Sequence, residues 1–210
     1  MAGQHDMISG QLKRRDITDP AVLAAFARVP REAFIADNQR AKAYDDGPLP
    51  IGFGQTISQP YVVALTAQAL RLGASDRVLE IGTGSGYAAA ILSELVASVD
   101  TVERIDELAI AARDRLAKLG YDRVHVHSAD GSLGWPAGAP YDAIAVACAA
   151  PIAPPSLLAQ LAIGGRMVVP VGRDDDQQLV RITRDDATTF NTEQLGEVRF
   201  VPLRGAEGFP

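Results

Sequence analysis

Residues 78–87 decide the fold, and they read Val-Leu-Glu-Ile-Gly-Thr-Gly-Ser-Gly-Tyr. The first four are mostly aliphatic, as in a buried strand, and an alanine-rich helical pattern covers residues 86–95. Glycines at every second position from Gly82 to Gly86 permit a tight turn and the close approach of a ligand. The stretch therefore predicts a strand, a glycine turn and a helix whose free N–H groups point at that ligand.

Strand and helix patterns continue to alternate after the glycine turn. They predict strands over 99–103, 124–126, 142–148 and 167–171, and helices over 105–119 and 155–161. This alternation is typical of an α/β fold with a doubly wound, mostly parallel sheet and right-handed crossovers. Residues 179–183 and 198–203 predict two further strands with no helix between them, which indicates an antiparallel C-terminal edge.

Before the glycine turn the patterns are helical. Thr18-Asp19-Pro20 is typical of a helix start, with the apolar face 21–26 behind it, and residues 30–34 and 60–70 also predict helices. Residues 1–15 are polar and are expected to be poorly ordered.

The stretch 49–61 is too rich in glycine and proline for a strand and too apolar for an idle surface loop, which indicates a functional loop. We predict a single domain, in which residues 1–60 form a helical segment with an active-site loop and residues 61–210 form the cofactor-binding core.

Charge, cysteine content and hydropathy disfavour several classes of protein. The chain has 210 residues, with 20 Lys and Arg against 26 Asp and Glu, so its net charge of −6 disfavours binding to a nucleic-acid backbone. The single cysteine excludes a disulfide framework and a cysteine-rich zinc site. No apolar run approaches the ~20 residues that span a membrane, and the polar start does not resemble a signal peptide, so we expect a cytoplasmic protein.

Acidic residues flank the glycine turn in a pattern that indicates one cofactor. Glu80 would repel a pyrophosphate, as in a dinucleotide, but would suit a ligand with a cationic amino-acid end. Glu103 ends the second strand, where an acid can accept both hydroxyls of a ribose. Asp130-Gly131 follows the third strand and is placed to reach an adenine edge. The set indicates an S-adenosylmethionine site; the alternative is a plain strand–helix turn, a solvated strand end and a turn-forming aspartate.

The loop Gln55-Thr56-Ile57-Ser58-Gln59-Pro60-Tyr61 carries a more specific pattern. Together with several other runs, it resembles the protein-L-isoaspartate O-methyltransferases from about Asp19 to Leu203. These runs are Val29–Glu32, Ala43–Asp46, Pro48–Gly52, Val78–Tyr87, Thr101–Ile105, Gly134–Pro136, Ala139–Asp142, Gly164–Arg166 and Arg199–Leu203.

This resemblance implies a class I, Rossmann-like methyltransferase that repairs proteins. Members of the family transfer a methyl group from S-adenosylmethionine to the α-carboxyl of L-isoaspartyl residues, and in some members of D-aspartyl residues, releasing S-adenosylhomocysteine. The substrates are isoaspartyl-containing proteins and peptides, and the ester then collapses to a succinimide without the enzyme. We also expect a monomer that binds neither nucleic acid nor membrane.

The resemblance also implies the site residues. Ser58 is expected to be the catalytic residue. The expected cofactor-binding residues are Thr56, Ile57, Ser58, Glu80, Gly82, Thr83, Gly84, Gly86, Glu103, Asp130 and Gly131. Without the resemblance, Ser58 reads better as the N-cap of the helix that begins near Pro60.

The chemistry asks little of side chains. A carboxyl acceptor has an ordinary pKa of about 3.9, so it is already an ionised nucleophile at neutral pH, and catalysis is expected to be mostly positioning. No metal is expected, since His125 and His127 lack a third ligand nearby in sequence and Asp174–Asp176 reads as a solvated turn. Cys148 is interpreted as a core residue.

Two other functions fit parts of the sequence. The first is a methyltransferase of the same fold that acts on a small molecule or RNA, for which nothing requires the Gln55–Tyr61 run. The second is a non-catalytic binding module or a nicotinamide oxidoreductase, which Glu80 before the glycine turn disfavours.

Overall fold

A computed structural model describes residues 2–173 and 176–210. The α-helices are α1 (Ala2–Asp6), α2 (Pro20–Arg28), α3 (Pro60–Leu70), α4 (Tyr87–Ser93), α5 (Asp106–Lys118) and α6 (Pro155–Gln160). A π-helical turn covers Met7–Leu12, and 3-10 turns cover Lys13–Arg15, Arg31–Phe34, Asp37–Lys42, Gly131–Leu133 and Pro136–Gly138.

The strands form a small hairpin and a large sheet. They are β1 (Leu49–Gly52), β2 (Gln55–Ile57), β3 (Arg77–Ile81), β4 (Ser98–Glu103), β5 (Val124–Ser128), β6 (Tyr141–Val146), β7 (Leu161–Arg173), β8 (Asp176–Arg184) and β9 (Phe190–Glu197). The large sheet has the order β5-β4-β3-β6-β7-β8-β9. Pairing is parallel from β5 to β7 and antiparallel from β7 to β9, which confirms the predicted α/β fold with an antiparallel C-terminal edge.

The chain reverses direction across the sheet between β3 and β6. From β3 it proceeds outward through β4 to β5, and it then returns to place β6 on the other side of β3. A crevice forms at the carboxyl ends of the strands at such a switch point, and ligands bind there in open α/β sheets. The glycine turn that follows β3 lies at this position.

Side chains alternate between the two faces of the sheet, and each face is covered. Val78 joins Phe26, Ala64 and Ile91 in one apolar cluster, which spans residues from Met7 to Leu179. The next residue along β3, Leu79, belongs to a second cluster with Leu157 of α6. The first cluster contains Val78 and the apolar residues of the N-terminal helical segment, so this segment covers the face of the sheet to which Val78 points.

Two expectations for the N-terminal segment are wrong. Residues 2–15 are helical, because Met7 and Leu12 are fully buried and Gln4 donates side-chain hydrogen bonds to the carbonyls of Phe26 and Val29. Residues 49–57 form the β1–β2 hairpin, contrary to the argument from their glycine and proline content. The paired ribbon has only two strands, so Pro50 can lie on an outer edge.

The predicted strand over 198–203 is also wrong. The outer strand is β9, whose residues are mostly exposed and therefore lack the apolar pattern of a buried strand. Residues 198–203 instead cross the carboxyl end of the sheet, where Val201 accepts a hydrogen bond from Ala149 N–H (2.8 Å) and Leu203 N–H donates to Ala149 (2.7 Å). Most of the predicted turn Asp174–Asp176 lies outside the described residues.

Candidate cofactor and active site

An open cleft lies at the carboxyl ends of β3, β4 and β6. Clefts at this position of an open α/β sheet bind small molecules. Its walls include the β2 strand with Ser58, the glycine turn, the end of β4, the residues after β5, those after β6, and the segment 201–204. Most of the predicted cofactor residues therefore lie at the switch point of the sheet, but Glu80, Gly86 and Asp130 do not line the cleft.

The glycine turn depends on glycine for both conformation and space. Gly82, Gly84 and Gly86 have φ values of 93°, 54° and 88°, which side chains rarely adopt. A Cβ on Gly84 would lie 3.2 Å from Ile51 Cδ1, and one on Gly86 would lie 3.1 Å from Leu116 Cδ1. The turn is therefore packed between the β1–β2 hairpin and α5, with its backbone facing the cleft.

Glu103 is buried at the end of β4 and lines the cleft. Its Oε2 accepts a hydrogen bond from Gly84 N–H (3.0 Å), and its Oε1 accepts one from Ile105 N–H (3.0 Å). These two bonds fix the carboxylate relative to the glycine turn. An ionised carboxylate has about four acceptor positions, so both oxygens can still accept a ribose hydroxyl.

Glu80 is only 1% exposed and carries an unpaired oxygen. Its Oε2 accepts a hydrogen bond from Thr101 Oγ1 (2.5 Å), which in turn lies 2.7 Å from Thr83 Oγ1, while Oε1 has no partner among the described residues. Burial raises the pKa of Glu80 to about 8; the Thr101 bond opposes this rise and nearby Glu103 adds to it. An unpaired buried oxygen is costly, so this carboxylate suits a cationic group.

Asp130 does not line the cleft, although Gly131 does. Its Oδ1 accepts hydrogen bonds from the backbone and hydroxyl of Ser132 (2.9 and 2.7 Å), and its Oδ2 accepts one from Ala206 N–H (2.8 Å). Partial burial opposes ionisation, but these bonds and Arg104 lower the pKa of Asp130 overall. Oδ1 caps the 3-10 turn Gly131–Leu133 and Oδ2 holds the C-terminal segment, so contact between Asp130 and adenine stays a prediction.

Ser58 does not cap the helix that follows it. The N-cap of α3 is Gln59, which makes no side-chain capping bond, so the capping interpretation of Ser58 is wrong. Within the described part of the chain, the Ser58 hydroxyl has no hydrogen-bond partner. The Ser58 carbonyl accepts a hydrogen bond from Arg31 Nη2 at 3.0 Å.

Ser58 lies where three cavities meet. Besides the cleft, it lines an adjoining apolar cavity, which Glu80 also lines, and an outer groove lined by Thr56, Arg199 and Phe200. Ala147 is the other residue common to all three. Molecules that enter from the cleft and from the groove would therefore meet at Ser58.

The remaining predicted cofactor residues, Thr56, Ile57, Gly82, Thr83 and Gly84, all line the cleft. Gly86 supports the turn from behind and does not itself line the cleft.

Some residues of the cleft escaped sequence reasoning. Cys148 lines it, and burial raises the pKa of its thiol, so the interpretation of Cys148 as a core residue describes its packing but misses its position. Arg204 also lines the cleft, and it directly follows residues 198–203, which were predicted to be a strand. Cys148 follows β6 at the switch point, and this position was the available signal.

The side chains of His127 and His125 lie in different environments. His127 Nε2 lies 2.7 Å from Asp100 Oδ1 and its ring stacks on Trp135, whereas His125 is exposed. Within residues 2–173 and 176–210, no group of three or more His, Cys, Asp or Glu side chains could hold a metal ion. In the same residues no helix is both long and apolar enough to cross a membrane.

Comparison with known proteins gives one consistent result. The family model for protein-L-isoaspartate(D-aspartate) O-methyltransferase matches residues 2–208. Protein-L-isoaspartate O-methyltransferase 2 of Pelobacter propionicus is 58% identical over 204 residues, covering 97% of this chain and 91% of that protein. Protein-L-isoaspartate O-methyltransferase of Rhodopseudomonas palustris is also 58% identical, covering 97% and 94%.

A solved structure agrees with these sequences. It is a putative protein-L-isoaspartate O-methyltransferase from Plasmodium falciparum in complex with S-adenosyl-L-homocysteine, with a TM-score of 0.80, 25% identity and coverage of 95% of this chain and 97% of that one. The matches extend over the N-terminal segment and the hairpin as well as the sheet. This chain therefore belongs to the protein-L-isoaspartate(D-aspartate) O-methyltransferase family.

Proposed function

We propose that this protein transfers a methyl group from S-adenosylmethionine to the α-carboxyl of L-isoaspartyl residues in damaged proteins. The observation that carries the proposal is the junction at Ser58, a residue that lines both the cleft at the switch point of the sheet and the outer groove. Family membership supplies the chemistry that such a junction can perform.

The residues of the cleft and of the adjoining apolar cavity fit the cofactor. Glu103 would accept the ribose hydroxyls, and the unpaired Oε1 of Glu80, which lines the adjoining cavity, would face the α-ammonium of the methionine end. The backbone of Gly82 and Gly84 would approach the same end closely, because neither carries a side chain. When bound, S-adenosylmethionine supplies an electrophilic methyl group on a sulfonium.

The chain then has to position the acceptor and exclude water. Because the acceptor carboxylate is ionised at neutral pH, no residue needs to remove a proton. The Ser58 hydroxyl would donate a hydrogen bond to one carboxylate oxygen and orient the other for in-line attack.

The finer expectations on partners and organisation remain proposals. We propose a cytoplasmic monomer that binds neither nucleic acid nor membrane, which the net charge of −6 supports for nucleic acid. We also propose a single domain, because one apolar cluster includes residues from Met7 in the N-terminal segment to Leu179 in β8. Light scattering after gel filtration tests the monomer, since a mass near twice 22.2 kDa would contradict it.

Methyl transfer to a matched pair of peptides tests the function. One peptide contains L-isoaspartate and its twin contains normal aspartate at the same position, and the label is on the methyl group of the cofactor. We expect base-labile methyl ester on the isoaspartyl peptide alone. Equal labelling of both peptides, or of neither while a small molecule or RNA is labelled, would contradict the proposal.

A further inference from the structure

Arg31 is a buried cation that joins three separate segments of the N-terminal half. The residue is 0% exposed. Its Nη1 donates to the carbonyl of Ala43 (2.5 Å), and its Nη2 donates to the carbonyls of Gly47 (3.0 Å) and Ser58 (3.0 Å). Among the described residues no carboxylate lies within ion-pairing distance, so the buried charge is compensated by these carbonyls, by the more distant charge of Asp45 and by the Tyr87 ring, whose centroid is 5.9 Å from Cζ.

Because Nη2 donates to two carbonyls, it connects two walls of the outer groove. Gly47 immediately precedes Pro48, and both Pro48 and Ser58 line that groove. One planar guanidinium group therefore fixes the separation of Pro48 from Ser58. A guanidinium group suits this task because its donors lie in a rigid fork, whereas an ammonium group is a single point.

We infer that Arg31 is a positioning residue for methyl transfer, which sets the Ser58 backbone and the width of the acceptor groove. The inference rests on the proposed function, because it assigns the groove to the acceptor. Arg31 does not line the cleft, and the two acidic groups assigned to the cofactor, Glu80 and Glu103, lie on β3 and β4. Of the predicted cofactor residues only Ser58 bonds to Arg31 among the described residues, and it does so through its backbone carbonyl. A change at Arg31 should therefore affect transfer more than cofactor binding.

The substitution Arg31→Lys tests this, with Arg166→Lys as the matched control. Arg166 is also partly buried and donates to Asp76 Oδ2 (3.0 Å), but it lines none of the three cavities. Calorimetric titration with S-adenosylhomocysteine gives both its Kd and the fraction of protein that binds it, so kcat is expressed per binding site.

For Arg31→Lys we expect kcat on the isoaspartyl peptide to fall roughly tenfold or more, since a charge-assisted hydrogen bond is lost, with the S-adenosylhomocysteine Kd within about threefold of wild type. Arg166→Lys should leave both quantities within about twofold. An unchanged kcat in Arg31→Lys, or a parallel loss of kcat and affinity, would overturn the inference. A wild-type protein inactive on the isoaspartyl peptide would instead refute the proposed function.

A double-mutant cycle distinguishes positioning through Ser58 from general support of the fold. If Arg31 acts through Ser58, the kcat of Arg31→Lys combined with Ser58→Ala should be close to that of Ser58→Ala alone. If the double variant instead loses kcat by the product of the two single-variant factors, the inference is overturned. If Arg31→Lys does not bind S-adenosylhomocysteine, Arg31→Gln takes its place, and failure of both to bind would make Arg31 a folding residue and also overturn it.

Discussion

The cofactor side and the acceptor side of the site are built in different ways. On the cofactor side, the glycine turn and Glu103 are fixed by short strands and by bonds within residues 80–105. On the acceptor side, Ser58 is fixed by Arg31, whose other partners are Ala43 and Gly47. The ends of paired strands therefore position the first, and one buried side chain that bridges irregular segments positions the second.

This difference predicts that mutations can change cofactor binding and methyl transfer separately. Substitutions on strand ends should change affinity for the cofactor, whereas substitutions around Ser58 should change turnover. The Ser58 hydroxyl has no structural bond among the described residues, so its replacement should cost the fold little.

The largest effect is expected for Ser58→Asp. The new carboxylate would face the acceptor carboxylate, and two close like charges repel until one protonates or moves. We expect a folded protein with at least roughly hundredfold lower kcat and an unchanged melting temperature. Peptide methylation measures kcat, and thermal denaturation measures the melting temperature. An active Ser58→Asp protein would remove Ser58 from the acceptor side.

Glu103→Ala should act on the cofactor side of the site. Loss of hydrogen bonds to the ribose should weaken S-adenosylhomocysteine binding by about ten- to hundredfold, measured by calorimetry. The control is Glu107→Ala, an exposed acid in the first turn of α5. Unchanged affinity in Glu103→Ala would contradict the assignment of this carboxylate to the ribose.

Glu80 predicts a pH dependence of stability in the ligand-free protein. Burial raises its pKa from 4.5 to about 8, so between these values the native state holds a proton that the unfolded state has released. The free energy of unfolding should therefore fall as pH rises from 4.5 to about 8, by at most ~1.4 kcal/mol per pH unit from this group.

Chemical denaturation of wild type and Glu80→Gln across this range measures the effect. The glutamine is neutral at every pH, so the difference between the two proteins should vary with pH in the direction given. A difference that is constant with pH would mean that Glu80 is not protonated in the native state.

The smallest effect is expected for Asp130→Asn. Its oxygens hold Ser132 and Ala206, so the substitution should loosen the C-terminal segment and weaken S-adenosylhomocysteine binding only about threefold, as for a partly lost hydrogen bond. Faster proteolysis after Arg204 should accompany it. A loss as large as that of Glu103→Ala would instead indicate direct contact with adenine.

The sequence predicts features that depend on neighbouring residues better than features that depend on distant contacts. The β3 strand, the glycine turn and the capping of α2 by Asp19, whose Oδ1 accepts from Ala21 N–H at 2.8 Å, depend on neighbouring residues and are confirmed. The hairpin was missed because its strands pair only with each other, and the role of Arg31 because its partners lie up to 27 residues away. Local capping rules gave the wrong interpretation of Ser58, and its catalytic role, which the family resemblance implies, stays a prediction.

Steady-state kinetics of Ser58→Ala test the central claim most directly, namely that Ser58 serves transfer at the junction and not the fold or the cofactor. We predict that kcat on the isoaspartyl peptide falls roughly tenfold or more, while the melting temperature and the Kd for S-adenosylhomocysteine match wild type. A kcat equal to that of wild type, or a loss of activity that follows the loss of thermal stability, would contradict the claim.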